Sequence, residues 1–199
     1  MRVIAGAARG RKLRTVASEV VRPTSDRVKE AVFSMIGSRL ELSQSRVLDL
    51  YAGSGALGIE ALSRGAARCI FVERDRAVAA VLRSNLTRCG LEGGSSVVTR
   101  AVESVLDGFA GGFAGGFAGD GSTFDLIIAD PPYATDPAVV VEKVQRFDLL
   151  AVDGLLIVEH ASERALQGAG NIRLTRTKRY GKTTVTLLSR VFDEKPNPQ

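Results

Sequence analysis

From residue 46 to residue 191, short apolar runs alternate with stretches whose apolar positions recur every three or four residues. RVLDLY (46–51), RCIFVE (68–73), SSVVTRA (95–101), FDLIIAD (124–130) and GLLIVEH (154–160) have the near-continuous apolar character of strands covered on both faces of a parallel sheet. GALGIEALSRG (55–65), RDRAVAAVLRSNLTRCG (74–90) and the segment from Pro137 to Phe147 carry helical spacing instead. Strand, helix and strand in this order predict right-handed βαβ units and an α/β fold with helices on both faces of the sheet. Two last β segments, Ile172 to Tyr180 and Thr183 to Val191, meet at Gly181 and Lys182. They predict a hairpin that brings in one antiparallel strand.

Upstream, RPTSDRVKEAVFSMIGSRL starts a helix. Pro23, Thr24, Ser25 and Asp26 supply stop and cap chemistry, and Val28, Ala31, Val32, Met35, Ile36 and Leu40 then fall on one helical face. Before it, short β-type segments (Arg2 to Ala5, Lys12 to Val16) flank the turn region Gly6 to Gly10 and predict a hairpin or arm outside the main sheet. The expected organisation is an N-terminal extension over 1–24, one domain over 25–191 and a tail over 192–199. Within the domain, GFAGGFAGGFAG (108–119) is a period-four repeat, half glycine, that favours neither helix nor strand. The expectation is a flexible surface loop over 108–120, the alternative a lid in which Phe109, Phe113 and Phe117 meet RNA bases or a partner.

At 199 residues the chain has room for a single sizeable core. No apolar run approaches a membrane span, and MRVIAGAARGRKL lacks the apolar core of a signal peptide, so a cytoplasmic protein without a membrane partner is expected. Cys69 and Cys89 have no partner at metal-ligand spacing, which predicts reduced thiols and no metal site. Charge is informative once divided. Residues 1–30 carry eight Lys/Arg against three acids, and 171–199 seven against two, while 31–170 carry twelve against seventeen. Basic ends on a mildly acidic body suit a protein that presents an anionic polymer to a site in that body.

DLYAGSGALGIE (49–60) joins the first strand of the sheet to its helix, and Gly53, Gly55 and Gly58 spell G-x-G-x-x-G, with Glu73 ending the next strand. That is the dinucleotide fingerprint, and a nicotinamide or flavin enzyme has to be considered. Asp49 counts against it: a carboxylate four residues before the first glycine repels a pyrophosphate but accepts a hydrogen bond from an ammonium group. S-adenosyl-L-methionine, a sulfonium with an amino-acid tail and no phosphate, suits the loop better. It needs close backbone approach at Gly53 and Gly55, a carboxylate near its amine, and an acid such as Glu73 for its ribose hydroxyls.

Together, RVIAGAARGRKL, RPTSDRVKEAVFSMI, VLDLYAGSGALGIEALSRGA, FVERD and DPPY resemble the bacterial 16S rRNA (guanine(966)-N2)-methyltransferase family, from residue 2 to about residue 190. The glycine loop is generic to methyltransferases, DPPY narrows the likeness to enzymes acting on exocyclic amines, and the basic N-terminal motifs are the family-specific part. The resemblance implies a seven-stranded, mostly parallel class I methyltransferase (Rossmann-like) sheet with a small N-terminal extension. It implies cofactor contacts from Asp49, Tyr51, Ala52, Gly53, Ser54 and Gly55, from Glu73 and Arg74, from Ala101 and Val102, and from Asp130. It also implies a catalytic loop of Asp130, Pro131, Pro132 and Tyr133, and a substrate in 16S rRNA of the small ribosomal subunit or its assembly intermediate. The GFAG repeat is the departure from the family pattern.

The DPPY residues have the chemistry for this. Asp130 and the Pro131 carbonyl are two acceptors for the two N–H bonds of guanine N2, holding a delocalised amine so that its lone pair points at a methyl donor, while Tyr133 stacks on the base. A sulfonium is already an activated leaving group, so positioning suffices without a metal. Arg2, Arg9, Arg11, Lys12, Arg22, Thr24 and Arg27 are the RNA-binding candidates, serving affinity and register. Arg176, Lys178, Arg179 and Lys182 on the C-terminal hairpin are weaker ones, and His160 has no assigned role. Alternatives stay open: transfer to adenine N6 or to a protein glutamine, a nicotinamide-dependent oxidoreductase, or a non-catalytic ribosome assembly factor. A monomer is the simplest expectation.

Overall fold

In the computed structural model, which describes residues 1–15, 26–110, 123–132 and 134–191, the apolar runs form one seven-stranded sheet. Its strands are β1 (Arg46–Leu50), β2 (Arg68–Val72), β3 (Ser95–Val98), β4 (Phe124–Ala129), β5 (Leu150–Ala161), β6 (Ile172–Tyr180) and β7 (Thr183–Arg190). They lie in the order β3-β2-β1-β4-β5-β7-β6. Every pairing among β1 to β5 is parallel, and β7 runs antiparallel to both β5 and β6, as the Gly181–Lys182 turn predicts. The order reverses between β1 and β4, which opens a crevice at the carboxyl ends of these two strands.

Strand alternation divides the core into two layers. Val47, Phe71, Leu126, Ile128, Leu155, Ile157, Val185 and Leu187 face α1 (Asp26–Gly37), α2 (Ala56–Ser63) and α3 (Arg76–Cys89). Leu48, Leu50, Ile70, Val72, Ile127, Leu156, Val158 and Leu188 face α4 (Val102–Ala110) and α5 (Ala138–Arg146). Each such side chain, fully buried, contributes about 1.5–3 kcal/mol. Among the described residues no helix is long and apolar enough to cross a membrane, and both cysteines are buried free thiols.

Two sequence expectations need correction. α4 was not expected: Val102 and Leu106, one turn apart, are buried beneath it, and the helix carries on into the glycine repeat, so Gly108 and Phe109 are helical and not loop. The Phe109 ring meets Phe124 edge-on, with centroids 6.3 Å apart, so it belongs to the core and not to a lid. Phe113 and Phe117 lie outside the described residues. In α1, Lys29 and Phe33 are buried together with Val32, Met35 and Ile36, a wider apolar stripe than the spacing predicts. The N-terminal arm folds back on itself through an antiparallel bridge, Arg2 to Lys12, and through hydrogen bonds from the Val3 N–H to the Arg11 carbonyl and from the Leu13 N–H to the Met1 carbonyl.

That arm is held by side chains of the domain. Val3, Ala8 and Leu13 are buried in the layer of α1 to α3. Gly6 sits at φ 81°, where a Cβ would come within 1.7 Å of the Ser63 carbonyl oxygen, so only glycine allows the arm to lie this close to α2. Ser63 accepts from the Ala8 N–H through Oγ (2.9 Å) and from the Ala7 N–H through its carbonyl (2.7 Å). Glu60, fully buried, accepts from the Ile4 and Ala5 N–H groups at 2.7 and 2.9 Å and pairs with Lys29 (3.4 Å) and Arg64 (2.9 Å). Lys29 also donates to the Arg2 carbonyl. Burial lowers the Lys29 pKa, and the Glu60 charge opposes that shift.

Candidate active site

Four carboxylates arrive at the carboxyl edge of the parallel strands: Asp49 on β1, Glu73 just after β2, Asp130 just after β4 and Glu159 near the end of β5. The pairing of Ala129 with Val158 sets Asp130 abreast of Glu159. Alternation puts Asp49, Asp130 and Glu159 on the face that carries α1 to α3. Asp49 is buried, and its Oδ2 accepts the Gly58 N–H at 2.9 Å. A Cβ on Gly58 would lie 2.8 Å from that same oxygen and 2.3 Å from Phe71 Cε1, so the third glycine of the motif is there to let α2 close on the carboxylate.

Burial lifts the Asp49 carboxyl to about 7; the Gly58 hydrogen bond opposes the shift and the Glu73 charge adds to it. Asp130 is raised well above the ordinary carboxylate value, first by burial and then by the Glu159 and Asp49 charges. Three acids crowded at one edge favour a cation between them. Sequence reasoning missed Glu159, whose partner lies 29 positions away across a strand pair; the only signal was an acid in the otherwise apolar run GLLIVEH.

The glycine loop is shaped by left-handed residues, Tyr51 (φ 56°), Gly53 (φ 54°) and Gly55 (φ 83°). A positive φ at a tyrosine costs of order 1 kcal/mol and is retained where the surroundings fix it. Here the Tyr51 hydroxyl donates to Glu103 Oε1 at 2.9 Å, and burial pushes its pKa upward. Ala52 donates to the Val72 carbonyl, Gly55 caps α2, and the Ser54 carbonyl accepts from Asn85 Nδ2 at 2.9 Å. Glu73 accepts the Gly53 N–H through Oε2 (2.9 Å) and the Asp75 N–H through Oε1 (2.8 Å). Arg74 is exposed beside Tyr51, Ala101 is half-buried, and Val102 is buried in the layer of α4.

This arrangement tests which cofactor fits. A pyrophosphate on such a loop needs free backbone N–H groups, yet the Gly53 and Gly58 N–H groups donate to Glu73 and Asp49. The donor set is anionic, and no Cβ contact closer than 4.0 Å restricts approach at Gly53. These features fit a cationic, phosphate-free group such as S-adenosyl-L-methionine and disfavour a dinucleotide.

At the catalytic loop, Pro131 is buried and Pro132 exposed, and the Pro132 carbonyl accepts the Thr135 N–H at 2.8 Å in a tight turn. Tyr133 lies outside the described residues. His160 is buried, donates through Nδ1 to the Ala161 carbonyl at 3.0 Å and accepts through Nε2 from the Thr186 hydroxyl at 2.9 Å; burial lowers its pKa. It is a structural link between β5 and β7.

Of the expected RNA-binding residues, Arg9, Lys12 and Arg27 are exposed. Arg2 is exposed and lies 3.7 Å from Asp26, and Arg11 donates to the Arg88 carbonyl at 2.9 Å. Arg22 and Thr24 lie outside the described residues. Asn85, which sequence reasoning passed over as a polar position on a helix, is fully buried. It accepts from the Arg14 N–H (2.8 Å) and donates to the Arg14 carbonyl (2.9 Å) in addition to Ser54, so it ties the arm to the glycine loop.

Comparison with known proteins finds relatives over nearly the whole chain. A family model described as Conserved hypothetical protein 95 matches residues 1–189. The chain is 38% identical over 189 residues to YlbH of Bacillus subtilis, covering 94% of this chain and 97% of that one. It is 34% identical over 194 residues to the Escherichia coli protein named Ribosomal RNA small subunit methyltransferase D, covering 96% and 90%. The solved structure of yhhF from Escherichia coli superposes with a TM-score of 0.80 at 33% identity, covering 96% of this chain and 97% of that one.

Proposed function

We propose a function from a fixed premise: the chain belongs to the family described as Conserved hypothetical protein 95. The architecture is that of a class I methyltransferase, as expected from the motifs. The reading supported best is transfer of a methyl group from S-adenosyl-L-methionine to the exocyclic N2 of a guanine in small-subunit 16S rRNA. The observation that carries it is the convergence of Asp49, Glu73 and Asp130 at one sheet edge, with the glycine-loop N–H groups turned to carboxylates.

The cofactor, when bound, supplies a methyl group on a cationic sulfur, a leaving group that needs no further activation. In this reading Asp49 holds its ammonium, and the lone pairs of Glu73 left over from Gly53 and Asp75 take its ribose hydroxyls. Asp130 and the Pro131 carbonyl accept from the two N–H bonds of the target amine and fix the nitrogen in line for attack. The raised pKa of Asp130 also suits it to take the proton that the amine loses. Tyr133 is assigned the face of the flipped base on chemical grounds.

The test is transfer of labelled methyl to purified small ribosomal subunits and to deproteinised rRNA, with Asp130→Ala as control. The expected result is label in N2-methylguanine, lost in the variant. Label in N6-methyladenine or in protein glutamine would replace the substrate, and full activity of Asp130→Ala would remove the DPPY mechanism.

A further inference from the structure

The sheet ends in an exposed edge strand, and its charge is one-sided. From Asn171 to Lys182 the chain holds five cations, Arg173, Arg176, Lys178, Arg179 and Lys182, and no acid. Arg176, Lys178, Arg179 and Lys182 are all exposed. The register locates them relative to the chemistry. Asp130 is abreast of Glu159, Glu159 pairs with Val185, and Val185 pairs with Lys178. Lys178 therefore shares one row and one face of the sheet with Asp130, three strand spacings away, or about 14 Å. Arg179 and Lys182 lie just beyond, at the same end of the sheet.

The hairpin tip is also braced. Ser162, following β5, donates its N–H to the Lys182 carbonyl at 2.9 Å and its hydroxyl to the Gly181 carbonyl at 3.2 Å. Arg179 Nε donates to that same Gly181 carbonyl at 3.0 Å, and Lys178 Nζ stands 5.5 Å from the Tyr180 ring centroid. The cations are thus carried on a fixed element, tied to the strand that bears Glu159.

Resting on the methyltransferase reading above, we propose that the β6–β7 hairpin is a second RNA contact, in which Lys178, Arg179 and Lys182 bind backbone phosphates flanking the target nucleotide. The electrostatics favour such a rim. The pocket at Asp130 is lined by acidic side chains that give a phosphate no counter-charge, so the backbone of an entering base is better held outside it on cations. The arm supplies cations from the α2 and α3 side, and the hairpin supplies them from the β6 edge. RNA phosphates are the occupant that this charge fits. The competing account is that Lys and Arg on β6 only guard an exposed edge against pairing with another chain.

The experiment compares Lys178→Gln/Arg179→Gln/Lys182→Gln with a control of equal charge, Arg39→Gln/Arg68→Gln/Arg146→Gln, whose exposed cations sit at the opposite end of the sheet. Methyl transfer to small subunits and binding of deproteinised 16S rRNA are measured across salt concentrations, with cofactor affinity and melting temperature as checks of the fold. For the hairpin variant we expect the log–log salt slope to fall by about 2–3. Its RNA KM should rise about tenfold or more, with kcat at saturating RNA and cofactor affinity unchanged. The control should leave the slope in place. Equal slopes for the two variants would overturn the proposal, as would a hairpin variant that self-associates while its soluble fraction keeps the wild-type RNA KM. A wild-type protein that neither binds nor methylates RNA would overturn the functional reading as well; wild-type methylation with an unmoved hairpin slope overturns this inference alone.

Discussion

Removing the Glu60 carboxylate should free the N-terminal arm, whereas removing its partner Lys29 should not. Glu60 is the acceptor for four donors: Lys29 Nζ, Arg64 Nε and the N–H groups of Ile4 and Ala5. Glu60→Ala leaves two arm N–H groups without acceptors, at about 1–3 kcal/mol each where burial is complete, and leaves Lys29 the Arg2 carbonyl and the more distant Asp26 charge. Breaking a buried pair from one side costs about 3–5 kcal/mol. Lys29 already has a lowered pKa, so it would shed its proton before paying the full penalty, which holds the expected loss near 4 kcal/mol. Lys29→Met instead leaves Glu60 its Arg64 charge and both backbone donors and fills a buried, unbranched volume with an apolar chain. Its expected cost is about 1 kcal/mol. Native-state amide exchange and trypsin cleavage at Arg9, Arg11 and Lys12 measure arm opening directly, and urea unfolding followed by circular dichroism measures the whole domain. A loss of 4 kcal/mol raises the open population about a thousandfold, against about fivefold for Lys29→Met. Equal effects of the two variants, or a larger one for Lys29→Met, would refute the assignment of Glu60 as the hub.

Three further outcomes follow from the site. Asp49 is neutralised below about pH 7 in the free protein, and a bound ammonium favours its charged form, so cofactor affinity should rise with pH up to about 7 and then level, with proton release on binding below that point. Calorimetry in buffers of different ionisation enthalpy checks this, and a slope that survives in Asp49→Asn would reject it. Glu159→Gln removes a charge that raises Asp130, so the acidic limb of the kcat profile should move to lower pH; a limb that stays in place or moves upward argues against Asp130 as the titrating group. Asn85→Ala deletes three hydrogen bonds at a buried amide and should cost about 2–3 kcal/mol, weakening cofactor binding and exposing the arm to trypsin together. A change in one without the other would sever the link that Asn85 makes.

The sequence exposes what is local. Five strands announce themselves as apolar runs because parallel strands are covered on both faces, and Asp49, Gly53, Gly58 and Glu73 are legible because one strand–helix–strand unit holds them within 25 residues. What it hides is paired at a distance. Lys29 and Glu60 have no local signal, since nothing near either one in the chain shows that they neutralise each other in the core. Glu159 becomes part of the site only through the β4–β5 register, and Asn85 only through the docking of an arm 71 residues upstream. α4 escaped notice for a different reason: the glycines that follow it overwrite a short helical period.

The position of α4 has a practical consequence. Coming after β3, it returns across the face opposite to the arm and the carboxylates and delivers the chain to the start of β4, at the end of the sheet remote from the chemistry. The described ends on either side of the repeat, α4 at Ala110 and the start of β4 at Phe124, are thus separated from the carboxylates by the length of the sheet. A reporter dye on Asp107, exposed near the end of α4, would read out that remote end.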